Sequence, residues 1–171
     1  MSLNTSAWLI LGFGLLLFIL LAGLKAGLGG FGARYQKRGN LFTPAELNFL
    51  RALDRAVGQK LRIFGKVRVA DVLSVKGGTN RRANWNAFAK ISGKHFDYVL
   101  CDPQTLNVLG VVELNDKSHD RRDRQLRDAL IRRACLEAGM PLIEVPAART
   151  YNPIQIHDSI FAALGTQTSA H

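Results

Sequence analysis

Alternating apolar and polar positions in the middle of the chain predict a β-hairpin. Two runs rich in β-branched and aromatic residues, 96–101 and 108–114, flank the segment 102–105 with the sequence DPQT. This segment has turn chemistry, because Asp caps a turn and Pro fixes φ at its second position. We therefore expect two antiparallel strands joined by a tight turn.

The spacing of this hairpin also bounds its register. If the hairpin folds symmetrically about Thr105, Asp97 lies opposite Glu113. Like charges in direct opposition destabilise a strand pair, and neither carboxylate then ionises freely. A divalent cation between the two carboxylates removes both penalties, so this register predicts a metal site. A register slipped by one residue, or carboxylates that face water, explains the same spacing without a metal.

A helix before the hairpin is predicted from its start signals. Thr43 can serve as the N-cap, Pro44 occupies the first helical position, and Glu46 completes a capping box. Gly58 ends this helix. Glu46 can also supply a carboxylate to a site, although capping already accounts for it. The expected apolar stripe is Leu47, Leu50, Leu53 and Val57.

The segment between this helix and the hairpin gives weaker signals. Residues 61–75 are β-type and interrupted by Gly65, which predicts one strand or two short ones. Asp71 lies in this apolar run and is a second candidate for a site. Residues 77–80 mark a loop, and residues 81–91 predict a short helix.

The C-terminal part of the chain predicts a helix, a strand and a last helix. Residues 120–138 have helical periodicity and end at Gly139, and residues 142–145 indicate a buried strand. A crossover of this length favours a parallel, right-handed connection. Pro153 begins the last helix. The expected buried faces are Leu126, Leu130, Ile131, Ala134 and Cys135 in the first of these helices, and Ile154, Ile160, Phe161 and Leu164 in the second.

The N-terminal residues 7–24 form an uncharged apolar stretch, AWLILGFGLLLFILLAGL. At about 1.5 Å rise per residue, it nearly covers a bilayer core of roughly 30 Å. A signal peptide would require a Lys or Arg before this stretch, and none is present, so we predict a transmembrane anchor. The following cations place the C-terminal domain in the cytoplasm, at a bacterial inner membrane crossed once. The basic residues of 25–38 would lie near anionic lipid.

These signals divide the chain into four parts. Residues 1–25 are expected to form the membrane anchor, 26–40 a Gly-rich basic linker, 41–165 one α/β domain, and 166–171 a disordered tail. Two cysteines, Cys101 and Cys135, are too few for a zinc cluster. They lie in apolar runs, which indicates buried thiols in a reducing compartment.

The formal net charge of +10 predicts an anionic partner, either nucleic acid or lipid headgroups. Residues 72–96 contain no acidic residue, and cations alternate there with aromatic rings, which suits nucleic acid. Trp85 and Phe88 can instead pin this segment to the core; their spacing of three favours that packing interpretation. The candidate nucleic-acid contacts are Lys76, Arg81, Arg82, Trp85, Lys90, Arg121 and Arg124.

The ordered pattern HFDYVLCDPQTL, VVELNDKSH and DRQLRDALIRRACLEAGMPLIEVPA resembles the PD-(D/E)xK superfamily. The similarity is to the restriction-endonuclease-like branch that includes the very-short-patch repair endonucleases. Over residues 41–150 the chain more closely resembles an uncharacterised bacterial family, domain of unknown function 2726. The superfamily resemblance implies a core of helix, three-stranded meander, helix and strand.

The same resemblance implies a Mg²⁺-dependent phosphodiesterase site. Asp97 and Glu113 would hold the metal, with the carbonyl of Leu114 as a further ligand. The superfamily places lysine two residues after the Glu, where this chain has Asn115. Lys117 keeps the facing of that position but is displaced by about 7 Å along a strand. It is the candidate replacement, and His119 is a further site candidate, since a histidine near this place serves in the repair-endonuclease branch.

These observations predict a restriction-endonuclease-like α/β domain anchored by a transmembrane helix, with divalent-metal-dependent nuclease activity. The alternative is an inactive module of the same fold that binds nucleic acid or a partner at the membrane. A third possibility is a scaffold whose charge serves lipid headgroups. Asn115, in place of the usual lysine, is the residue on which the first two interpretations differ, and the sequence leaves both open.

Overall fold

The computed structural model of the protein describes residues 5–28, 34–115 and 122–168, with side chains over 8–24, 34–115 and 125–165. The chain divides into two compact units, Met1–Gly39 and Asn40–His171. Within the described ranges, the first unit contains one helix, and the second contains all four strands and the other helices.

The first unit contains helix α1, Thr5–Leu28. In the described ranges, no helix is both long and apolar enough to cross a membrane. The predicted transmembrane anchor over residues 7–24 is therefore wrong, and so is the predicted single-pass location in the inner membrane.

Some predictions near the two ends of the chain fall on residues outside the described ranges. The predicted linker, 26–40, includes residues 29–33, and the predicted tail, 166–171, includes residues 169–171. The lipid contact predicted for 25–38 also includes 29–33, and it stays a prediction.

The second unit follows the predicted order of elements closely. In chain order these are α2 (Pro44–Val57), β1 (Arg62–Arg68), α3 (Val69–Val72), α4 (Arg81–Ser92), β2 (His95–Cys101), β3 (Val108–Asn115), α5 (Arg122–Ala138), β4 (Leu142–Pro146) and α6 (Pro153–Thr168). The run 61–75 differs from the prediction, since the strand ends at Arg68 and a short helix follows it.

The four strands form one mixed sheet in the order β1-β2-β3-β4. The first three pair antiparallel, and β4 pairs parallel with β3 after the crossover through α5. The fold-class prediction is therefore confirmed in its α/β part and wrong in its transmembrane helix. Helix α2 precedes the antiparallel strands and α5 precedes β4, while α3 and α4 lie between β1 and β2.

Alternating side chains along β2 enter two separate cores. Tyr98 and Leu100 lie in the core that includes residues of α2 and α6. Val99 and Cys101 lie in the core that includes residues of α3, α4 and α5. Helices therefore cover both faces of the sheet. The helix residues buried in the two cores include Phe49, Leu53, Ile156 and Ile160 on the first face, and Val69, Ile91, Ile131 and Cys135 on the second.

The start of α2 agrees with its prediction in detail. Thr43 Oγ1 accepts a hydrogen bond from the Glu46 N–H at 3.3 Å, and Glu46 Oε2 accepts one from the Thr43 N–H at 2.8 Å. Gly58 adopts a positive φ of 55° at the end of the helix. The predicted apolar faces are partly wrong, because three of their members are exposed: Leu47, Leu126 and Ile154.

We expect Gly65→Ala to destabilise the protein by about 1–3 kcal/mol, the usual cost of overpacking. A Cβ at this position would overlap the ring of Phe42, which stacks on Tyr98 with ring centroids 5.7 Å apart. Urea unfolding of the full chain measures the loss. Gly93→Ala is the matched control, because nothing lies within 4 Å of its added Cβ. A loss of similar size in both variants would contradict this steric explanation.

Candidate active site

Asp102 holds the turn of the central hairpin, and a bulge between Leu100 and Cys101 separates this turn from the regular strand pairing. Asp102 Oδ1 accepts hydrogen bonds from the N–H groups of Gln104 at 3.0 Å and Thr105 at 2.7 Å, as the turn chemistry predicted. The strands then pair Val99 with Val111 and Tyr98 with Val112. One further step in this register places Asp97 opposite Glu113, which is the predicted symmetric register.

These two carboxylates belong to a row of charged residues that crosses the whole sheet. On one side, β1 pairs Gly65 with Tyr98 and Val67 with Phe96, so Lys66 lies opposite Asp97. On the other side, Glu113 pairs directly with Glu144 of β4. One row therefore carries a cation followed by three acids.

Lys66 is the site residue that the sequence reasoning missed. Its Nζ lies 2.8 Å from Asp97 Oδ1 and 2.8 Å from Glu46 Oε1. The residue has a φ of 57°, in the left-handed region, where a side chain costs about 1–3 kcal/mol unless its surroundings hold it. Two ion pairs at once supply that restraint. The ammonium group therefore has a fixed position between the helix and the strand.

Ion pairing shifts the pKa values of Lys66 and Glu46 in opposite directions. Burial alone would lower the pKa of Lys66, but its hydrogen bonds to Asp97 and Glu46 raise it above the ordinary value. Burial alone would raise the pKa of Glu46, but the bonds to Lys66 and to the Thr43 backbone lower it. Glu46 thus has two roles, because one oxygen caps α2 while the other holds the lysine.

Asp97 is held by its second oxygen as well. The backbone N–H of Leu114 donates to Asp97 Oδ2 at 3.0 Å. This contact joins the two strands beside Glu113 through a side chain. The orientation of the Asp97 carboxylate is therefore determined by an ammonium group on one oxygen and a peptide N–H on the other.

Glu113 is less fully satisfied, although its carboxylate accepts a hydrogen bond from the Asp97 backbone N–H. Its Oε1 is buried and accepts no hydrogen bond in the described part of the chain. Burial first, and the nearby Asp97 second, raise the pKa of Glu113 to about 8, with Arg127 opposing the shift. A buried carboxylate oxygen with no donor is costly. Bound divalent metal or a proton would lower that cost.

Asn115, the residue at the position where the superfamily has lysine, contacts the last acid of the row. Its Nδ2 donates to Glu144 Oε1 at 2.9 Å. The same carboxylate accepts from Arg132, with Nε to Oε2 at 2.8 Å and Nη2 to Oε1 at 2.7 Å. These bonds to Arg132, and then the bond to Asn115, lower the pKa of Glu144. Glu144 is therefore neutralised by its own partners, in contrast to Glu113.

A small cleft opens beside Glu113, lined also by Asn115, Asp128, Arg132 and Glu144. Its volume of about 10 Å³ is roughly what a single water needs. In the described ranges, no cluster of three or more His, Cys, Asp or Glu side chains is arranged to hold a metal. Two carboxylates with water and substrate oxygens nevertheless suit Mg²⁺, which rarely uses a complete protein cage. The unsatisfied Glu113 oxygen fits such an ion.

Several predicted site residues are not described. Lys117, His119 and Arg121 lie outside the described ranges, so a displaced lysine at 117 and a role for His119 stay predictions. Arg124 lies in α5, but its side chain is outside the described part. Asp71, the second acid considered, is exposed and paired with Arg68 at 2.8 Å.

The predicted nucleic-acid contacts on and near α4 are all exposed. They are Lys76, Arg81, Arg82, Trp85 and Lys90. Trp85 is 68% exposed and Phe88 is 37% exposed, so the packing interpretation that we favoured for these rings is wrong. Only Ile91 of α4 is fully buried.

We expect Glu113→Gln to stabilise the metal-free protein at alkaline pH. The folded protein holds the Glu113 proton more tightly than the unfolded chain does, because the pKa of Glu113 in the unfolded chain is near the ordinary value of 4.5. The parent therefore loses stability as pH rises from about 4.5 to 8, by on the order of 3–5 kcal/mol. The two proteins should be equally stable near pH 4 and differ most above pH 8. Urea unfolding in EDTA across this range measures the difference.

Glu137→Gln is the control for that experiment. Glu137 is exposed and, among the described residues, pairs with Arg133 on the same helix at 2.7 Å, so its removal should change stability by tenths of a kcal/mol at any pH. A stability difference for Glu113→Gln that does not vary with pH would contradict a raised pKa.

Comparison with known proteins identifies the family. No curated protein and no solved structure matches the chain. One family model, described as Protein of unknown function (DUF2726), matches residues 37–164. This agrees with the resemblance found in the sequence, although it does not extend to the superfamily. The chain belongs to the DUF2726 family.

Proposed function

We propose that the second unit is a divalent-metal-dependent phosphodiesterase that acts on nucleic acid. Asp97 and Glu113 are the metal-binding carboxylates, and Lys66 supplies the positive charge of the site. One observation carries this proposal. Two carboxylates lie in register on adjacent strands, one held by an ammonium group at 2.8 Å and the other with a buried oxygen that has no partner in the described residues.

A bound divalent cation would supply Lewis acidity toward a phosphoryl oxygen. The protein supplies orientation and charge. Asp97 is oriented by Lys66 and by the Leu114 N–H. Without metal, Glu113 keeps its proton up to a pKa of about 8, so a bound cation would have to displace that proton at neutral pH. Lys66 presents its ammonium group beside this pair, where negative charge would develop on the phosphate.

The likeness to the PD-(D/E)xK superfamily supports this assignment of roles. In that pattern an Asp, a Glu and a Lys act together, and the Lys follows the Glu on the same strand. Here Lys66 comes from β1, on the opposite side of Asp97. Because Lys66 contacts Asp97, one member of the carboxylate pair, it can replace the lysine that Asn115 lacks. Lys117, outside the described ranges, is the competing source of the charge.

A second candidate is a nucleic-acid-binding module without turnover. The ion pairs of Lys66 with Glu46 and Asp97 favour it, because a lysine already neutralised by two acids has less charge to offer a phosphate. The exposed cations of α4 would serve binding equally well in this case. The two candidates differ in whether divalent metal binding leads to cleavage.

We expect Asp97→Asn and Glu113→Gln each to abolish divalent-dependent cleavage of nucleic acid. Lys66→Met should lower the rate by about 10²–10³, the usual effect of removing one charge-stabilising group. Cleavage of mixed single- and double-stranded substrates in Mg²⁺ or Mn²⁺ measures both effects. The matched control is Asp71→Asn, an exposed carboxylate in a single ion pair, which should cleave like the parent.

Lys117→Ala distinguishes the two possible lysines. If Lys117→Ala lowers the cleavage rate by about 10²–10³ and Lys66→Met leaves it unchanged, Lys117 supplies the positive charge. If the parent shows no cleavage with either metal on any substrate, the phosphodiesterase proposal is wrong and the binding module is preferred.

Metal binding can be detected without activity. We expect Mg²⁺ to raise the thermal midpoint of the parent, because a ligand that binds only the folded state stabilises it. The rise should vanish in Asp97→Asn and Glu113→Gln, and it should shrink below pH 8 as Glu113 takes up its proton. Differential scanning calorimetry of the full chain measures the shift. A similar rise in both carboxylate variants would place the metal elsewhere.

A further inference from the structure

Helix α4 presents an aromatic pair to solvent. The rings of Trp85 and Phe88 have centroids 5.9 Å apart and planes tilted by 34°. Arg81 precedes Trp85 by four residues and Phe88 by seven, so all three share one helical face. The helix is described in full, and Ile91 is its single buried residue. The exposed rings therefore do not attach the helix to the sheet.

The segment that carries this pair is basic. Residues 72–96 contain no Asp or Glu. Four exposed cations accompany the rings: Lys76, Arg81, Arg82 and Lys90. Among the described residues none of these four forms an ion pair, whereas Arg68, Arg132 and Arg133 all do. Unpaired cations beside exposed rings complement a partner with both negative charge and flat apolar faces.

We propose that α4 is a stacking platform for unpaired bases, so that the nucleic acid bound here is single-stranded. This inference rests on the proposed function and names its substrate class. Cations alone would bind duplex and single strand through phosphates. An exposed tryptophan adds a contact that only an unstacked base can use, since a duplex hides its base faces.

The position of α4 in the fold connects this platform with the carboxylate pair. Ile91 lies in the same buried cluster as Val99 and Val111. Those two residues lie two positions from Asp97 and Glu113 on their strands and share their facing. Helix α4 therefore covers the sheet face that carries the pair. A nucleic-acid strand stacked on the outer surface of α4 therefore lies on the same side of the sheet as the carboxylate pair.

Trp85 is its own reporter in a test of this proposal. The chain has two tryptophans, Trp8 and Trp85, so Trp8→Phe leaves one. In EDTA, a 20-nucleotide oligodeoxythymidine should quench Trp85 fluorescence, because stacked bases quench indole emission. Trp85→Ala should weaken binding of this oligonucleotide roughly 5- to 150-fold, equivalent to about 1–3 kcal/mol per stacked base. Binding of a 20-base-pair duplex should change by less than about twofold.

Matched variants separate stacking from charge. Trp85→Phe should retain most of the single-strand affinity, because it keeps an aromatic face. Arg81→Gln with Arg82→Gln should flatten the salt dependence for single strands by roughly 1.4, about 0.7 per phosphate contact. Leu136→Ala removes a large exposed side chain from α5 and should change nothing.

Three results would overturn the proposal. These are an equal loss on duplex and single strand, an unchanged single-strand affinity in Trp85→Ala, or a blue shift on phosphatidylglycerol vesicles without quenching by the oligonucleotide. The last would assign this face to a lipid surface. Because binding is measured in EDTA, an absence of cleavage refutes the phosphodiesterase and leaves this inference standing. If the protein cleaves nucleic acid but Trp85→Ala binds the single strand like the parent, the stacking platform is refuted and the phosphodiesterase stands.

Discussion

Two carboxylates in register on neighbouring strands impose an electrostatic cost on this domain. Asp97 and Glu113 cannot both be charged and dry unless positive charge or hydrogen-bond donors reach them. The fold meets this requirement for Asp97, through Lys66 and the Leu114 N–H. It leaves Glu113 with a buried oxygen that has no partner among the described residues. This asymmetry is what makes the row across the sheet a candidate site.

The sequence was sufficient for the parts of the fold that depend on local chemistry. The DPQT segment marked the hairpin turn, because Asp102 binds the backbone two and three residues ahead of it. Thr43 and Glu46 marked the start of α2 through a reciprocal cap. The parallel pairing of β4 followed from the length of the crossover. In each case the determining contacts lie within a few residues or follow from a general rule of chain connection.

Other features depended on contacts between distant segments and could not be predicted. Lys66 reaches Asp97 only because β1 pairs with β2 across two intervening helices. Gly65, which interrupts a β-type run, was the one local signal of unusual backbone there. The exposure of Trp85 was missed because a spacing of three residues between Trp85 and Phe88 suits a buried helix face as well as an exposed pair of tilted rings. Hydropathy alone also overestimated the N-terminal helix as a membrane span.

The sheet gives the site a fixed dimension. The backbones that carry Lys66, Asp97, Glu113 and Glu144 are joined by inter-strand pairing, and side chains in direct opposition on adjacent strands have Cβ atoms roughly 4.5–5.5 Å apart. The spacing of the functional groups is thus a property of the main-chain hydrogen bonds. Changes in the connecting loops can therefore alter what approaches the site while the spacing of its strands is preserved.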